Sequence, residues 1–138
     1  MKNKSLTNDY IVRGGIRLEA LQVLFTRGGY ADVVREAQEI VELVSKALIR
    51  HLGGEPARVH DVSAQLAVLK SRIPSEQHEG LDRLIAISRE LRRDRELAFY
   101  GTEDLTPSEF YSKNDAERAI FQAQESVAFV VGIVRNEC

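Results

Sequence analysis

Apolar residues recur at three- and four-residue steps in four long segments of the chain, and this spacing is the period of the α-helix. The clearest segment covers about residues 30–52 and ends at Gly53-Gly54 and Pro56. Its continuous stripe consists of Tyr30, Val33, Val34, Ala37, Ile40, Val41, Val44, Ala47 and Leu48. The alternating pattern of strands is nearly absent, and most connections are short. We therefore predict an all-α fold, an up-and-down bundle of about five helices.

The first helix is predicted over about residues 9–26, with Thr7, Asn8 or Asp9 as its N-terminal cap. Gly14-Gly15 interrupts the helical pattern and indicates a bend or a close contact with another helix. The residues predicted to face the core are Ile11, Ile16, Ala20, Val23 and Leu24.

Three further helices are expected. A short third helix opens at His60-Asp61 with Asp61 as its cap, and a fourth runs from about residue 75 or 81 to residue 98. The last covers about residues 114–135 and is apolar all round at residues 127–131, which predicts burial or cover by a partner. In the irregular stretch between them, residues 106–109 (Thr-Pro-Ser-Glu) predict one helical turn with a capping box.

The length of 138 residues fits one domain, residues 1–138. The net charge of −2 does not by itself indicate nucleic acid or an anionic membrane as a partner. The only cysteine, Cys138, cannot form a disulfide within the chain, and no apolar run reaches the length of a signal peptide or a membrane span. We therefore expect a soluble, cytoplasmic protein that is not bound to a membrane.

Familiar signatures of chemistry are missing: there is no phosphate-binding glycine loop, no zinc-type spacing and no nucleophile elbow, so neither a metal nor a cofactor is predicted. The informative segment holds five arginines within thirteen residues, interspersed with acidic residues. The arginines are Arg83, Arg89, Arg92, Arg93 and Arg95. Periodicity alone favours a solvated helix face with ion pairs, and a phosphate-binding surface is the alternative.

Residues 30–48 resemble the HEPN family of helical bundles. A Gly-Tyr turn there leads into the family's "A-Q-E-x-x-E-x-x-x-K-A-L" pattern, and Gly53-Gly54 and then His60-Asp61 follow at the family's spacing. The resemblance implies a homodimer, often paired with a minimal nucleotidyltransferase or placed in a toxin–antitoxin system. It also implies nucleotide or RNA as a possible ligand.

Some HEPN proteins are metal-independent ribonucleases with an Arg-x4–6-His signature. In that signature arginine holds the phosphate and histidine moves a proton, for which its near-neutral pKa is suited. Here Arg93 and Tyr100 match the arginine and a following tyrosine, but Ala98 stands where the histidine would be. The resemblance therefore implies weak catalysis at most.

Three hypotheses follow. The first is a non-catalytic or weakly catalytic HEPN protein, and the second is a ribonuclease toxin that uses Arg93 with Tyr100 or His60. The third is a bundle that only mediates oligomerisation. For the first hypothesis, the residues predicted to bind an anion or nucleotide are Arg89, Arg92, Arg93, Arg95, Tyr100 and His60.

Overall fold

A computed structural model describes residues 4–56, 61–103 and 105–136, with only the backbone described for residues 94–99. These residues form six α-helices and contain no strand, which confirms the predicted all-α bundle. The helices are α1 Lys4–Thr26, α2 Tyr30–His51, α3 Val62–Val68, α4 His78–Tyr100, α5 Pro107–Phe110 and α6 Lys113–Asn136. Two short 3₁₀ turns, Lys70–Arg72 and Ser75–Gln77, join α3 to α4. No helix in the described part of the chain is both long enough and apolar enough to cross a bilayer.

Helix α2 is the centre of the bundle, and α1, α4 and α6 all pack against it. The stripe predicted from the sequence is buried along its whole length, apart from Tyr30, which is partly exposed. Because an amphipathic helix is stabilised mainly by burying its apolar face, α2 accounts for much of the core. The predicted interior face of this helix is confirmed.

Helix α1 differs from its prediction in its start and in the face it buries. It begins at Lys4, so the three predicted capping residues lie inside its first two turns and do not cap it. Its buried residues are Thr7, Ile11, Gly14 and Leu21. Ile16 is 59% exposed and Val23 65% exposed, and Ala20 is exposed as well, so these three were wrongly placed in the core.

The close approach of α1 to α2 explains why α1 buries the face that contains Gly14. A Cβ atom on Gly14 would lie 2.7 Å from Cγ1 of Val44, so a larger residue would collide with α2. An ion pair between Arg17 Nε and Glu36 Oε1, 2.6 Å apart, joins the same two helices. The contact predicted from Gly14-Gly15 is therefore a close packing of two helices.

The smaller elements follow their local sequence signals. Asp61 caps α3, since its carboxylate accepts a hydrogen bond from the backbone N–H of Ser63 at 2.9 Å. Thr106 and Glu109 form the predicted capping box of α5, with a proline at its first turn. Helix α6 is buried on one side only: Val127 and Val130 are buried, whereas Ala128 is exposed.

Candidate functional site

Helix α3 packs against α4 and brings the start of α3 beside two of the α4 arginines. Arg89 and Arg92, three residues apart, lie on one side of α4. Arg89 Nε donates a hydrogen bond to Ser63 Oγ at 3.2 Å, and Arg92 Nη1 lies 3.5 Å from Asp61 Oδ1. The Ser63 side chain is also hydrogen-bonded to Asp61. Arg89, Ser63, Asp61 and Arg92 thus form one connected network across the α3–α4 contact.

Asp61 is the acidic centre of this network. Partial burial acts to raise the pKa of its carboxyl. Two influences together outweigh burial and lower the pKa: hydrogen bonds from the side chain and backbone of Ser63, and the positive charges of Arg92 and Arg89. The net effect is a pKa below the ordinary value of 3.8. Asp61 is therefore a carboxylate at neutral pH and offsets part of the positive charge of the two arginines.

The Arg92–Asp61 pair remains accessible to water, with side-chain exposures of 43% and 39%. An exposed ion pair of this kind contributes about 0–1 kcal/mol to stability, because water and salt screen it. A doubly charged phosphate can therefore compete with Asp61 for the guanidinium at little cost. The geometry is that of an arginine held in position and still open to an anion.

Arg93 and Tyr100 extend the same surface along α4. Arg93 is exposed and lies one helical turn beyond Arg89, and Tyr100 is 72% exposed seven residues further on. Seven residues are about two turns, so Arg93 and Tyr100 point in nearly the same direction, about 10.5 Å apart along the axis. The backbone of Ala98 lies in the last turn of α4.

Two of the predicted site residues cannot be placed. His60 and the side chain of Arg95 lie outside the described residues, so their roles stay predictions. Arg83, the fifth arginine of the segment, lies on another side of α4 and binds Glu125 of α6 at 2.9 Å. Arg83 fits the ion-pair interpretation, whereas Arg89, Arg92 and Arg93 supply the exposed positive surface.

Glu90 is an acidic residue of α4 that contacts α6. It lies 2.9 Å from Arg118 and accepts a hydrogen bond from Gln122 at 2.9 Å, both on α6. Glu90 therefore shares its charge with α6 through these two contacts. Acidic and basic residues that are close in the α4 sequence thus contact different parts of the bundle: Glu90 contacts α6, whereas Arg92 contacts Asp61 beside α3.

The sequence-based interpretation did not include Asp61 and Ser63 among the residues of the site. Asp61 was predicted only as a helix cap, although the His-Asp dipeptide had been noted as a family-like feature. The signal for Ser63 is weaker, since a serine in the first turn of a helix is ordinary. Neither contact with α4 follows from local sequence.

His78, the first residue of α4, is partly buried, and its Nε2 lies 2.8 Å from the carbonyl oxygen of Ile73. Arg72, the last residue of the first 3₁₀ turn, donates a hydrogen bond from Nη1 to the carbonyl oxygen of Leu52 at 2.8 Å. These hydrogen bonds hold the loop before α4 and direct the two side chains to different backbone groups.

Comparison with known proteins identifies the family of the chain. A search of curated proteins found no match. A family model described as the HEPN domain matches residues 7–134, which include every helix that builds the core. The match covers nearly the whole chain and agrees with the likeness carried by α2 and the His-Asp dipeptide. The chain therefore belongs to the HEPN family.

Proposed function

We propose that this HEPN protein binds a phosphate-bearing ligand, a nucleotide or an RNA phosphate, through the arginine face of α4. The arginine face is defined as Arg89, Arg92 and Arg93. The observation that carries the proposal is that Arg89 and Arg92 are held by Ser63 and Asp61 while all three arginines are exposed. Positioned guanidinium groups bind phosphate with two parallel hydrogen bonds, and little side-chain freedom remains to be lost.

Asp61 sets the direction from which the ligand approaches. As a carboxylate, Asp61 repels a phosphate that approaches Arg92 from the α3 side. We therefore place the bound phosphate between Arg89 and Arg93, on the side of the face that continues toward Tyr100. Tyr100 then supplies an exposed aromatic ring on which a base can stack.

Catalysis is not part of the proposal. Alanine at position 98 has no proton to transfer, and tyrosine has a reference pKa of about 10. Proton transfer by a well-matched base typically contributes about 10²–10⁴-fold in rate, so its loss leaves binding as the main property of the site. In a cell, such a protein would act as the partner of a minimal nucleotidyltransferase or as a component of a toxin–antitoxin system.

Binding of a fluorescently labelled single-stranded RNA, measured by anisotropy at several salt concentrations, tests the proposal. Arg93→Ala is expected to weaken binding and to reduce the slope of log affinity against log salt by about 0.7, the value for one lost phosphate contact on a single strand. Arg135→Ala is the matched control, because it removes an exposed arginine at the end of α6. Equal effects of the two substitutions would show that the arginine face has no special role.

The ribonuclease hypothesis is separated by the fate of the RNA. We expect the RNA to stay intact during incubation with the purified protein. The observation that favours the rival is the shared direction of Arg93 and Tyr100 on α4. Robust cleavage that Arg93→Ala or Tyr100→Phe abolishes would replace the binding proposal with a ribonuclease toxin.

A further inference from the structure

A small cavity of about 120 Å³ lies between α4 and α6 and shares no residue with the arginine face. Leu84 and Ile87 of α4, each 1% exposed, form its apolar wall on one side. Phe129 of α6 contributes a partly buried aromatic ring on the other side. Protein interiors are normally packed with few voids of this size. An apolar cavity is therefore a place where a ligand gains contacts that the protein does not make with itself.

Gly80, in the first turn of α4, makes room for the Phe129 ring. A Cβ atom on Gly80 would collide with Cε1 and Cδ1 of Phe129, so the edge of the ring rests directly against the backbone of α4. Glycine weakens a helix relative to alanine, and at this position its presence is explained by the space that the ring needs. The close fit holds the aromatic ring in place as one wall of the cavity.

The polar residues of the cavity wall are engaged with each other or with the backbone. Arg83 donates two hydrogen bonds to Glu125, from Nε to Oε2 at 2.9 Å and from Nη2 to Oε1 at 3.4 Å. Ser126 donates its hydroxyl proton to the carbonyl oxygen of Gln122 at 2.8 Å. A water molecule in a buried cavity needs about two to four polar partners. Because these groups already have partners, the cavity favours an apolar occupant over water.

We propose that this cavity binds a small, neutral, apolar molecule no larger than one aromatic ring. Apolar cavities of about 150 Å³ lined by leucine, isoleucine and phenylalanine hold benzene, and this cavity has similar walls and a slightly smaller volume. The ion pair at the rim selects a neutral molecule, because Glu125 repels an anion and Arg83 repels a cation. Unlike the single contact of Arg92 with Asp61, this pair has two hydrogen bonds that a charged ligand would have to break.

Titration of the full chain with benzene tests the proposal directly. The methyl signals of Leu84 and Ile87 in ¹H–¹³C NMR spectra are expected to shift saturably, with a dissociation constant on the order of 1 mM. The methyl signals of Leu21, a fully buried residue of α1, are expected to stay unchanged. At about ten times the dissociation constant, benzene should raise the melting temperature by about 3–6 °C. The absence of saturable shifts at Leu84 and Ile87 would overturn the proposal.

Two phenylalanines of α6 provide a matched pair of variants. Phe129→Ala removes the aromatic wall of the cavity and is expected to weaken benzene binding about tenfold. Phe121→Ala is the control: it makes the same change eight residues earlier, at a residue that is 62% exposed and lines a different hollow, between α1 and α6. The control is expected to leave the affinity for benzene unchanged. Equal weakening by the two substitutions would contradict binding in the cavity between α4 and α6.

Benzoate, the anionic relative of benzene, tests the selection of a neutral ligand. The wild type is expected to bind benzoate at least about tenfold more weakly than benzene. Glu125→Gln removes the repelling carboxylate and releases Arg83, so benzoate should bind about tenfold more tightly than to the wild type. Glu117→Gln, at an exposed glutamate of α6 outside this cavity, is the control and should leave benzoate binding unchanged. Wild-type protein that binds benzoate as tightly as benzene, or an equal gain in both variants, would overturn the proposal.

Discussion

Gly14 and Gly15 are neighbours in α1 with different surroundings, and this allows the packing between α1 and α2 to be measured directly. A Cβ at position 14 would lie 2.7 Å from Cγ1 of Val44, a fully buried and β-branched residue with little freedom to move. A Cβ at position 15 would have no atom within 4 Å. Replacing either glycine by alanine gains about 0.5–1 kcal/mol of helix propensity. Only at position 14 is this gain opposed by overpacking, which typically costs about 1–3 kcal/mol.

The difference between Gly15→Ala and Gly14→Ala isolates the packing cost, since the propensity gain cancels. We expect Gly15→Ala to raise the free energy of unfolding by up to about 1 kcal/mol, and Gly14→Ala to fall about 1–3 kcal/mol below Gly15→Ala. Urea denaturation gives both values, and thermal unfolding should separate the two variants by about 4 °C per kcal/mol. Equal stabilisation by both substitutions would refute the close approach of α1 to α2.

The remaining predictions concern the network at Asp61 and the core. Asp61→Asn keeps a good helix cap and removes the negative charge, so phosphate affinity should rise about fivefold at low salt in an equilibrium titration; weaker binding would contradict the repulsive role given to Asp61. Because folding lowers the pKa of Asp61, its charge stabilises the fold above about pH 3.8, and this contribution is lost as the pH falls through the folded-state pKa. The difference in unfolding free energy between wild type and Asp61→Asn should therefore shrink on acidification. A difference that grows would contradict the lowered pKa. Leu48→Ala in the centre of α2 should cost about 2–5 kcal/mol in urea denaturation, and a loss below 1 kcal/mol would show that α2 is not central.

The parts of the fold that depend on local signals could be predicted from the sequence. The buried stripe of α2 is long and uninterrupted, so its period alone identifies the inward face. The caps at Asp61 and Thr106 depend on residues within three positions of each other, and both were found. The predicted and observed structures of these elements agree because local preference and tertiary packing favour the same conformation.

Helix α1 could not be predicted in the same way because it carries two apolar stripes. Ile11 and Leu21 face the core, whereas Ile16 and Val23 face outward, and hydrophobicity does not distinguish them. The core side also includes Gly14, which has no side chain to contribute to an apolar pattern. What decides between the stripes is the close fit of Gly14 against α2, and this is a tertiary contact.

The candidate site was predictable only in part for a similar reason. The exposed arginines of α4 could be identified from their clustering, and so could the direction shared by Arg93 and Tyr100. The contact of Arg92 with Asp61 joins residues 31 positions apart in the sequence, and it exists because α3 packs on α4. The ion pair of Glu90 with Arg118 likewise depends on the position of α6.

The central claim is that a phosphate binds between Arg89 and Arg93 on α4. The most direct measurement is an NMR titration of the uniformly ¹⁵N-labelled protein with adenosine monophosphate, in which the Nε–Hε signals of the arginines are followed. The account predicts saturable shifts of the Arg89, Arg92 and Arg93 signals, with Arg83 and Arg135 unchanged. Shifts of equal size at all five arginines, or saturable shifts confined to signals outside α3 and α4, would contradict it.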